Sequence, residues 1–105
     1  MIFYNVTIKI VPEAANDWEK WMNNNHIPNV LATGLFKWAR FSKLLTLDTE
    51  DGITYSIQYS CNSMKELHHY QANFSQKLQA EHAEKFKEKF VAFRSIMEEI
   101  DLIEP

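Results

Sequence analysis

The sequence predicts an α+β domain in which a four-stranded antiparallel sheet carries two helices on one face. Two kinds of pattern lead to this fold class. Some segments alternate in polarity from one residue to the next, as strands do, and two longer segments repeat apolar residues at helical spacing. Their order is strand, helix, strand, strand, helix, strand. A chain of 105 residues has the ordinary size of one domain, so we assign residues 1–105 to a single domain.

The first strand lies in the segment IFYNVTIKIV. Its even positions, from Ile2 to Ile10, are aliphatic or aromatic, whereas its odd positions, from Phe3 to Lys9, are mixed. Successive side chains of a strand point to opposite faces. We therefore expect one apolar face against a core and a second face of mixed character.

The first helix follows Pro12, which suits the first position of a helix because it lacks an N–H group. Its apolar residues recur at helical spacing: Ala14, Trp18, Trp21 and Met22. The helix is predicted to continue to about Asn25, since consecutive asparagines favour caps and turns. Pro28 can begin a short further helix, and Gly34 can end it in a left-handed conformation.

The second and third strands are FKWARFSKLLTLD (36–48) and GITYSIQYSC (52–61). The third alternates cleanly between apolar or aromatic residues and small polar residues. The segment DTEDG (48–52) between them has the composition of a hairpin turn, with Gly52 predicted to supply a positive φ.

The second helix begins after Ser63, with Glu66 at the spacing of a capping box. Its apolar stripe contains Met64, Leu67, Tyr70, Phe74 and Leu78, and continues through His82, Phe86 and Phe90. We expect a bend near Ser75. The last apolar segment, 91–103, is predicted to be a fourth strand, although residues 88–100 could also extend the helix.

This βαββαβ order is the ferredoxin-like plan, in which both helices cover the same face of the sheet. The other face must then be solvated or packed against another molecule. Here it is mixed rather than charged, with Phe3 and Asn5 on the first strand and Gln58 on the third. We expect partial burial of this face, and two such sheets packed face to face would form a barrel.

Charge and composition exclude several classes of function. The net charge of −3 gives no cationic field for nucleic acid. The single cysteine, Cys61, permits neither an internal disulfide nor a thiolate zinc cluster. No apolar stretch approaches the roughly 20 residues that span a bilayer, and the first residues do not resemble a signal peptide. We therefore expect a cytoplasmic protein that binds neither nucleic acid nor membranes.

Several segments together resemble an uncharacterised bacterial family of small, single-domain proteins. They are IFYNVTIKI, the tryptophan pair followed by HIPNVLATGLF, DGITYSIQY and EHAEKFKEKFVAFRSIMEEI, and they cover nearly the whole chain. The resemblance implies a dimeric α+β barrel, an architecture also used by cofactor-free monooxygenases, haem-degrading enzymes and sugar mutarotases. It implies no activity, because fold does not determine function.

His26 and His82 are the candidate catalytic residues. His26 lies between an aromatic helix face and Pro28, where it could act as a general base at the rim of a pocket beside Trp18 or Trp21. The alternative is a junction residue whose ring bonds backbone carbonyls. His82 lies in an apolar row, where it could be a hydrogen-bonded core residue or could pair with His26 across a cavity. No two histidines have metal-ligand spacing, so no metal site is predicted.

Arg94 and Arg40 are the candidate anion anchors. Arg94 is predicted to face inward on the fourth strand, where it could hold a carboxylate or phosphate, or could pair with Glu98 or with a dimer mate. Arg40 on the second strand carries the same alternatives.

Three functions remain open at this stage. The first is a homodimer, paired through the open sheet face, that binds a small apolar or aromatic ligand near His26 and four aromatic residues: Trp18, Trp21, Trp38 and Tyr55. The second is an oxygenase or isomerase that needs no cofactor and uses a histidine base. The third is a structural or interaction module. No cofactor is predicted for any of them.

Overall fold

The computed structural model describes residues 1–46 and 50–105. Its strands are β1 (Ile2–Ile10), β2 (Trp38–Lys43), β3 (Ile53–Cys61) and β4 (Phe90–Glu98). Its helices are α1 (Ala15–Trp21), α2 (Ile27–Leu31), α3 (Met64–Asn73) and α4 (Ser75–Lys85), with a 3-10 turn at Pro12–Ala14 and a π turn at Met22–His26. The predicted βαββαβ order is confirmed, and the C-terminal apolar segment is a strand.

The four strands form one antiparallel sheet in the order β2-β3-β1-β4. Val6 of β1 lies opposite Ile57 of β3 on one side and Arg94 of β4 on the other. Because directly paired residues share a face, this register defines a helix-covered face, and the residues between them form the open face. Alternate residues of β1, beginning with Ile2, are buried under the helices, as the alternation predicts.

The core lies between the helix-covered face and the helices. Its most deeply buried large side chains come from three parts of the fold. They are Trp18 and Met22 from the first helical region, Ile10 and Ile57 from the sheet, and Leu67 from α3. The amphipathic stripes read from the sequence therefore meet in one apolar cluster.

The second helical region is divided at Phe74, whose φ of −127° departs from helical geometry. This confirms the bend predicted near Ser75. The second strand is shorter than predicted, since it ends at Lys43 rather than near residue 48. Part of the predicted hairpin turn, Asp48 and Thr49, lies outside the described residues.

The two glycines have different structural roles. Gly34 has a φ of +79° after α2, which confirms its predicted left-handed conformation. The predicted positive φ at Gly52 is wrong. A Cβ atom at Gly52 would lie only 2.7 Å from the backbone oxygen of Ile10. A close approach of two backbones, rather than an unusual dihedral angle, is therefore what requires glycine at position 52.

Within the described parts of the chain, no helix is both long enough and apolar enough to cross a membrane.

Replacing Gly52 with alanine is expected to lower the free energy of unfolding by about 2 kcal/mol, because the new methyl group would overlap the Ile10 carbonyl. Urea denaturation of G52A and the unchanged protein measures this difference. The control is G34N, because asparagine tolerates a left-handed conformation and nothing lies within 4 Å of a Cβ atom there. Equal stability of G52A and the unchanged protein would contradict the close approach.

Candidate functional site

A cavity of about 270 Å³ lies between the helix-covered face of the sheet and the helices. Strands β1, β3 and β4 supply its floor, and helical residues supply its roof. The polar side chains that line it are Tyr4, His26, Tyr59, Tyr70, Gln79, His82 and Arg94. Its remaining lining is mainly aliphatic, with Phe90 at one side. The cavity thus combines an apolar body with a small set of polar groups, as ligand sites do.

His26 reaches this cavity because of the π turn at Met22–His26. Pro28 has no N–H group to donate to the preceding turn, and its ring crowds the carbonyl four residues earlier. The helix widens at this point, and the Ile27 N–H bonds the carbonyl of Met22, five residues back. The three asparagines of the turn are exposed, whereas His26 turns towards the sheet.

The imidazole of His26 has a buried Nδ1 atom without a hydrogen-bond partner among the described residues. Among the described residues, no backbone carbonyl accepts a hydrogen bond from this atom. Its ring centre lies 5.3 Å from that of Trp21 and 5.7 Å from that of His82. Burial, and then the positive charge of Arg94, lower the pKa of His26 to about 4. The ring is neutral near pH 7 and can accept a proton or a hydrogen bond.

His82 is held by a different contact. The indole Nε1–H of Trp18 donates a hydrogen bond of 2.8 Å to its Nε2 atom. In a neutral imidazole, a nitrogen that accepts is unprotonated, so the ring proton lies on Nδ1. Nε2 is thus occupied, and burial, His26 and Arg94 lower the pKa of His82 to about 4. The Nε2 atom of His82 therefore has a partner, whereas the buried Nδ1 atom of His26 has none among the described residues.

Arg94 lies on the helix-covered face of β4 and lines the cavity, where it is exposed to solvent. Glu98, the ion-pair partner considered from the sequence, does not pair with it, and no other carboxylate of residues 1–46 and 50–105 does so. Burial raises the pKa of Tyr4, and the positive charge of Arg94 opposes this effect. The guanidinium is therefore a cation without a carboxylate partner among the described residues.

Three tyrosines, Tyr4, Tyr59 and Tyr70, lie together on the cavity wall. The ring centre of Tyr4 lies 6.1 Å from that of Tyr59 and 6.0 Å from that of Tyr70. Burial raises the pKa of Tyr59 and of Tyr70 well above the ordinary value, so both hydroxyls stay protonated. They can donate hydrogen bonds to an acceptor in the cavity.

Three of the predicted aromatic residues lie near the cavity without forming the wall described above. Trp18 is fully buried behind His82. Trp21 packs beside His26 and His82. Tyr55 donates a 2.7 Å hydrogen bond to Glu19 and lines a separate hollow with Lys43, because it lies towards β2. Burial and Glu19 raise the pKa of Tyr55.

Trp38 and Arg40 lie on the open face, away from the cavity. The Arg40 guanidinium is 5.2 Å from the centre of the Trp38 ring. The register pairs Trp38 with Ser60 and Arg40 with Gln58, both of which alternate with the buried residues of β3. The expectation of one pocket shared with His26 is corrected here. Alternation separates two faces of β2 but does not say which one meets the helices.

Sequence reasoning did not include four polar lining residues in the site: Tyr4, Tyr59, Tyr70 and Gln79. The signal for the tyrosines was present, since all three lie on the predicted buried faces of strands or helix. A buried hydroxyl is a polar group in an apolar layer, and three in one layer indicate a hydrated or ligand-binding space.

Among the residues that the structure describes, no three histidine, cysteine, aspartate or glutamate side chains form a group that could hold a metal ion.

The family described as a domain of unknown function, DUF4286, matches residues 1–100 of the chain. No curated protein matches the sequence of this chain. Solved structures do match. A dimeric ferredoxin-like protein from an uncultured marine organism has a TM-score of 0.66 at 12% identity, with 100% of both chains covered.

Two further structures have similar scores. A protein of the ethyl tert-butyl ether d (ethd) family from Bacillus halodurans has a TM-score of 0.65 at 14% identity, covering 95% of this chain and 100% of its own. SnoaB, a cofactor-independent oxygenase from Streptomyces nogalater, has a TM-score of 0.64 at 10% identity, covering 97% and 96%. At these identities the likeness shows the fold alone, and the predicted ferredoxin-like fold is confirmed.

The two buried histidines make stability depend on pH. Their pKa values of about 4 lie below the ordinary 6.5, so the unfolded chain takes up protons that the folded chain refuses. The contribution of each histidine is complete above pH 6.5 and is lost as the pH falls towards 4, with a loss of about 3 kcal/mol for each histidine. Urea denaturation at pH 7.5 and 4.5 measures it.

The double variant H26Q/H82Q is the test variant for this dependence, and H68Q is its control because His68 is exposed on α3. The loss between the two pH values is expected to shrink in the double variant and to persist in H68Q. The same loss in both variants would show that carboxylates, rather than the two histidines, cause it.

Proposed function

From the premise that this chain belongs to the DUF4286 family, a domain of unknown function, we propose that it is a homodimeric protein that binds a small, largely apolar anion in its cavity. The observation that carries the proposal is Arg94, a cation that lines an otherwise uncharged cavity without a carboxylate partner among the described residues. An arginine can bind a carboxylate through two parallel hydrogen bonds.

The size and lining of the cavity support an aromatic or similarly compact ligand. A hole of 150 Å³ accommodates a benzene molecule, and this cavity has about 270 Å³. The space therefore suits one substituted ring rather than a nucleotide or a long chain. Tyr59 and Tyr70 can donate to its polar atoms, and Val6, Ile8 and Ile57 can contact its apolar part.

The open face supports the homodimer. Its outer strand exposes Val91, Phe93 and Met97, of which Phe93 is 63% accessible to solvent. Apolar side chains in one row on a sheet mark an interaction surface. The relative from the uncultured marine organism is described as dimeric. The mass of the native protein in solution tests the pairing, and a monomer at micromolar concentration would contradict it.

Benzoate is expected to bind more tightly than benzyl alcohol, because only benzoate carries a charge for Arg94. In R94Q this preference is expected to fall by about tenfold, the loss of one charge-assisted contact. Titration calorimetry with both compounds measures it. K65Q is the control, because Lys65 is exposed on α3 and does not line the cavity. An unchanged preference in R94Q would remove Arg94 from the proposal.

A second candidate function is proton transfer without a cofactor, and the Nδ1 atom of His26 favours it. This atom is buried, has no partner among the described residues and belongs to a ring that burial keeps neutral. It could accept a proton from a bound carbon acid while Arg94 holds the resulting negative charge. SnoaB, with the same fold, is described as a cofactor-independent oxygenase, which shows that such folds can act without a cofactor.

Phenylpyruvate tests this role, because it carries a ring, a carboxylate and benzylic protons that exchange with solvent on enolisation. The protein is expected to accelerate their exchange with deuterium oxide, as measured by proton NMR. H26A is expected to lose about 100-fold of the acceleration, the contribution typical of a general base, while still binding benzoate. Equal exchange by H26A would exclude His26 as the base and leave the binding function intact.

A further inference from the structure

The segment Glu99–Pro105 has no regular secondary structure and carries three strongly exposed aliphatic side chains. It follows β4 directly, and the Glu99 N–H bonds the carbonyl of Met1. Ile100, Leu102 and Ile103 are 90%, 70% and 84% accessible to solvent. Single exposed aliphatic residues are common on proteins, but three within four positions form a patch that is normally covered.

The open sheet face has an apolar row at the same end of the sheet where this segment leaves it. The register places Met97, Phe3, Ser60 and Trp38 side by side across the four strands. The rings of Phe3 and Trp38 lie 5.9 Å apart. The Ser60 hydroxyl between them is buried and has no hydrogen-bond partner in the part of the chain that the structure describes. Arg40 lies in the next row, beside Trp38.

The segment and this face have opposite charges. The strand residues of the open face include the cations Lys9 and Arg40 and no acid, and no described carboxylate forms an ion pair with Arg40. The segment carries three acids, Glu99, Asp101 and Glu104, and no cation. Complementary charge of this kind steers one surface to another.

We propose that the segment Glu99–Pro105 of one subunit lies across the apolar row and Arg40 on the open face of the second subunit. The inference rests on the proposed homodimer and adds to it a defined exchanged arm. Ile100, Leu102 and Ile103 cover the apolar row of the partner, while an acid of the arm pairs with its Arg40. Trp38 and Arg40 then act in assembly rather than in the cavity.

The length of the segment and the direction in which it leaves β4 favour contact with the open face of a second subunit over contact with the open face of its own subunit. Sheets packed face to face lie about 10 Å apart, and seven extended residues span roughly 23 Å. Trp38 and Arg40 lie on β2, at the opposite edge of the sheet from β4. To reach them in its own subunit, the segment would have to reverse towards the open face, and neither glycine nor proline lies between Glu98 and Glu104.

Charge reversal in separate chains tests this arrangement. The arm-reversed chain is E99K/D101K/E104K, and the face-reversed chain is R40E. Alone, each is expected to dimerise at least tenfold more weakly than the unchanged protein. When the two are mixed, a heterodimer is expected to exceed either homodimer in native mass spectra, because the reversed arm meets a reversed face. The control pair mixes the arm-reversed chain with K65E, whose change lies on α3, and is expected to show no such excess.

The outcomes separate the arm from the dimer. Reversed chains that dimerise like the unchanged protein, without preference for the mixed pair, would overturn the arm while leaving the homodimer intact. A triple variant that leaves the charges unchanged, I100S/L102S/I103S, removes only the aliphatic contacts of the arm. It is expected to weaken dimerisation at least tenfold, with benzoate binding retained. A chain that carries both R40E and the arm reversal could regain the dimerisation of the unchanged protein. If it does so while the two singly reversed chains form no excess of heterodimer on mixing, the arm lies on its own subunit. A monomeric unchanged protein would overturn both proposals.

Discussion

The hydrogen bond from the Trp18 indole to the Nε2 atom of His82 joins two parts of the chain that are 64 residues apart. It connects α1 with α4, two of the helices that cover the sheet. Without it, an indole N–H and an imidazole nitrogen would both be buried without a partner, which is costly in an apolar core. The same contact fixes the tautomer of His82, with the ring proton on Nδ1. The geometry of the cavity roof follows from this one pair.

The sheet separates two chemical environments by alternation alone. On its covered face, Arg94 provides the charge of the cavity. On its open face, the Ser56 hydroxyl donates to the Asn5 side chain, whose amide in turn donates to Thr7. This network leaves the middle of the open face polar, with apolar side chains towards its ends. A partner that covers it therefore has to accommodate satisfied hydrogen bonds as well as apolar contacts.

Much of the fold could be predicted because it depends on local periodicity. The strands followed from alternation, and the division of the second helical region followed from its stripe. The site was less predictable, because it depends on contacts between distant segments. Arg94 could be assigned to the inner face because it follows Phe93 and lies two positions before the aliphatic Ile96. Trp38 and Arg40 could not be assigned to a face, since aromatic and basic residues occur on both sides of β2. The occupied nitrogen of His82 depends on a residue in another helix, which no local pattern contains.

The π turn at Met22–His26 has a consequence for comparing related chains. Each residue of an α-helix is rotated by about 100° from the previous one, so the extra residue in this wide turn decides which side chain faces the sheet. A relative that lacks one of the three asparagines would turn its histidine away from the cavity, although both flanking segments remained recognisable. In an alignment, a gap of one position between the second tryptophan and the histidine would thus mark a change of chemistry. The number of residues in this interval is as diagnostic as the histidine itself.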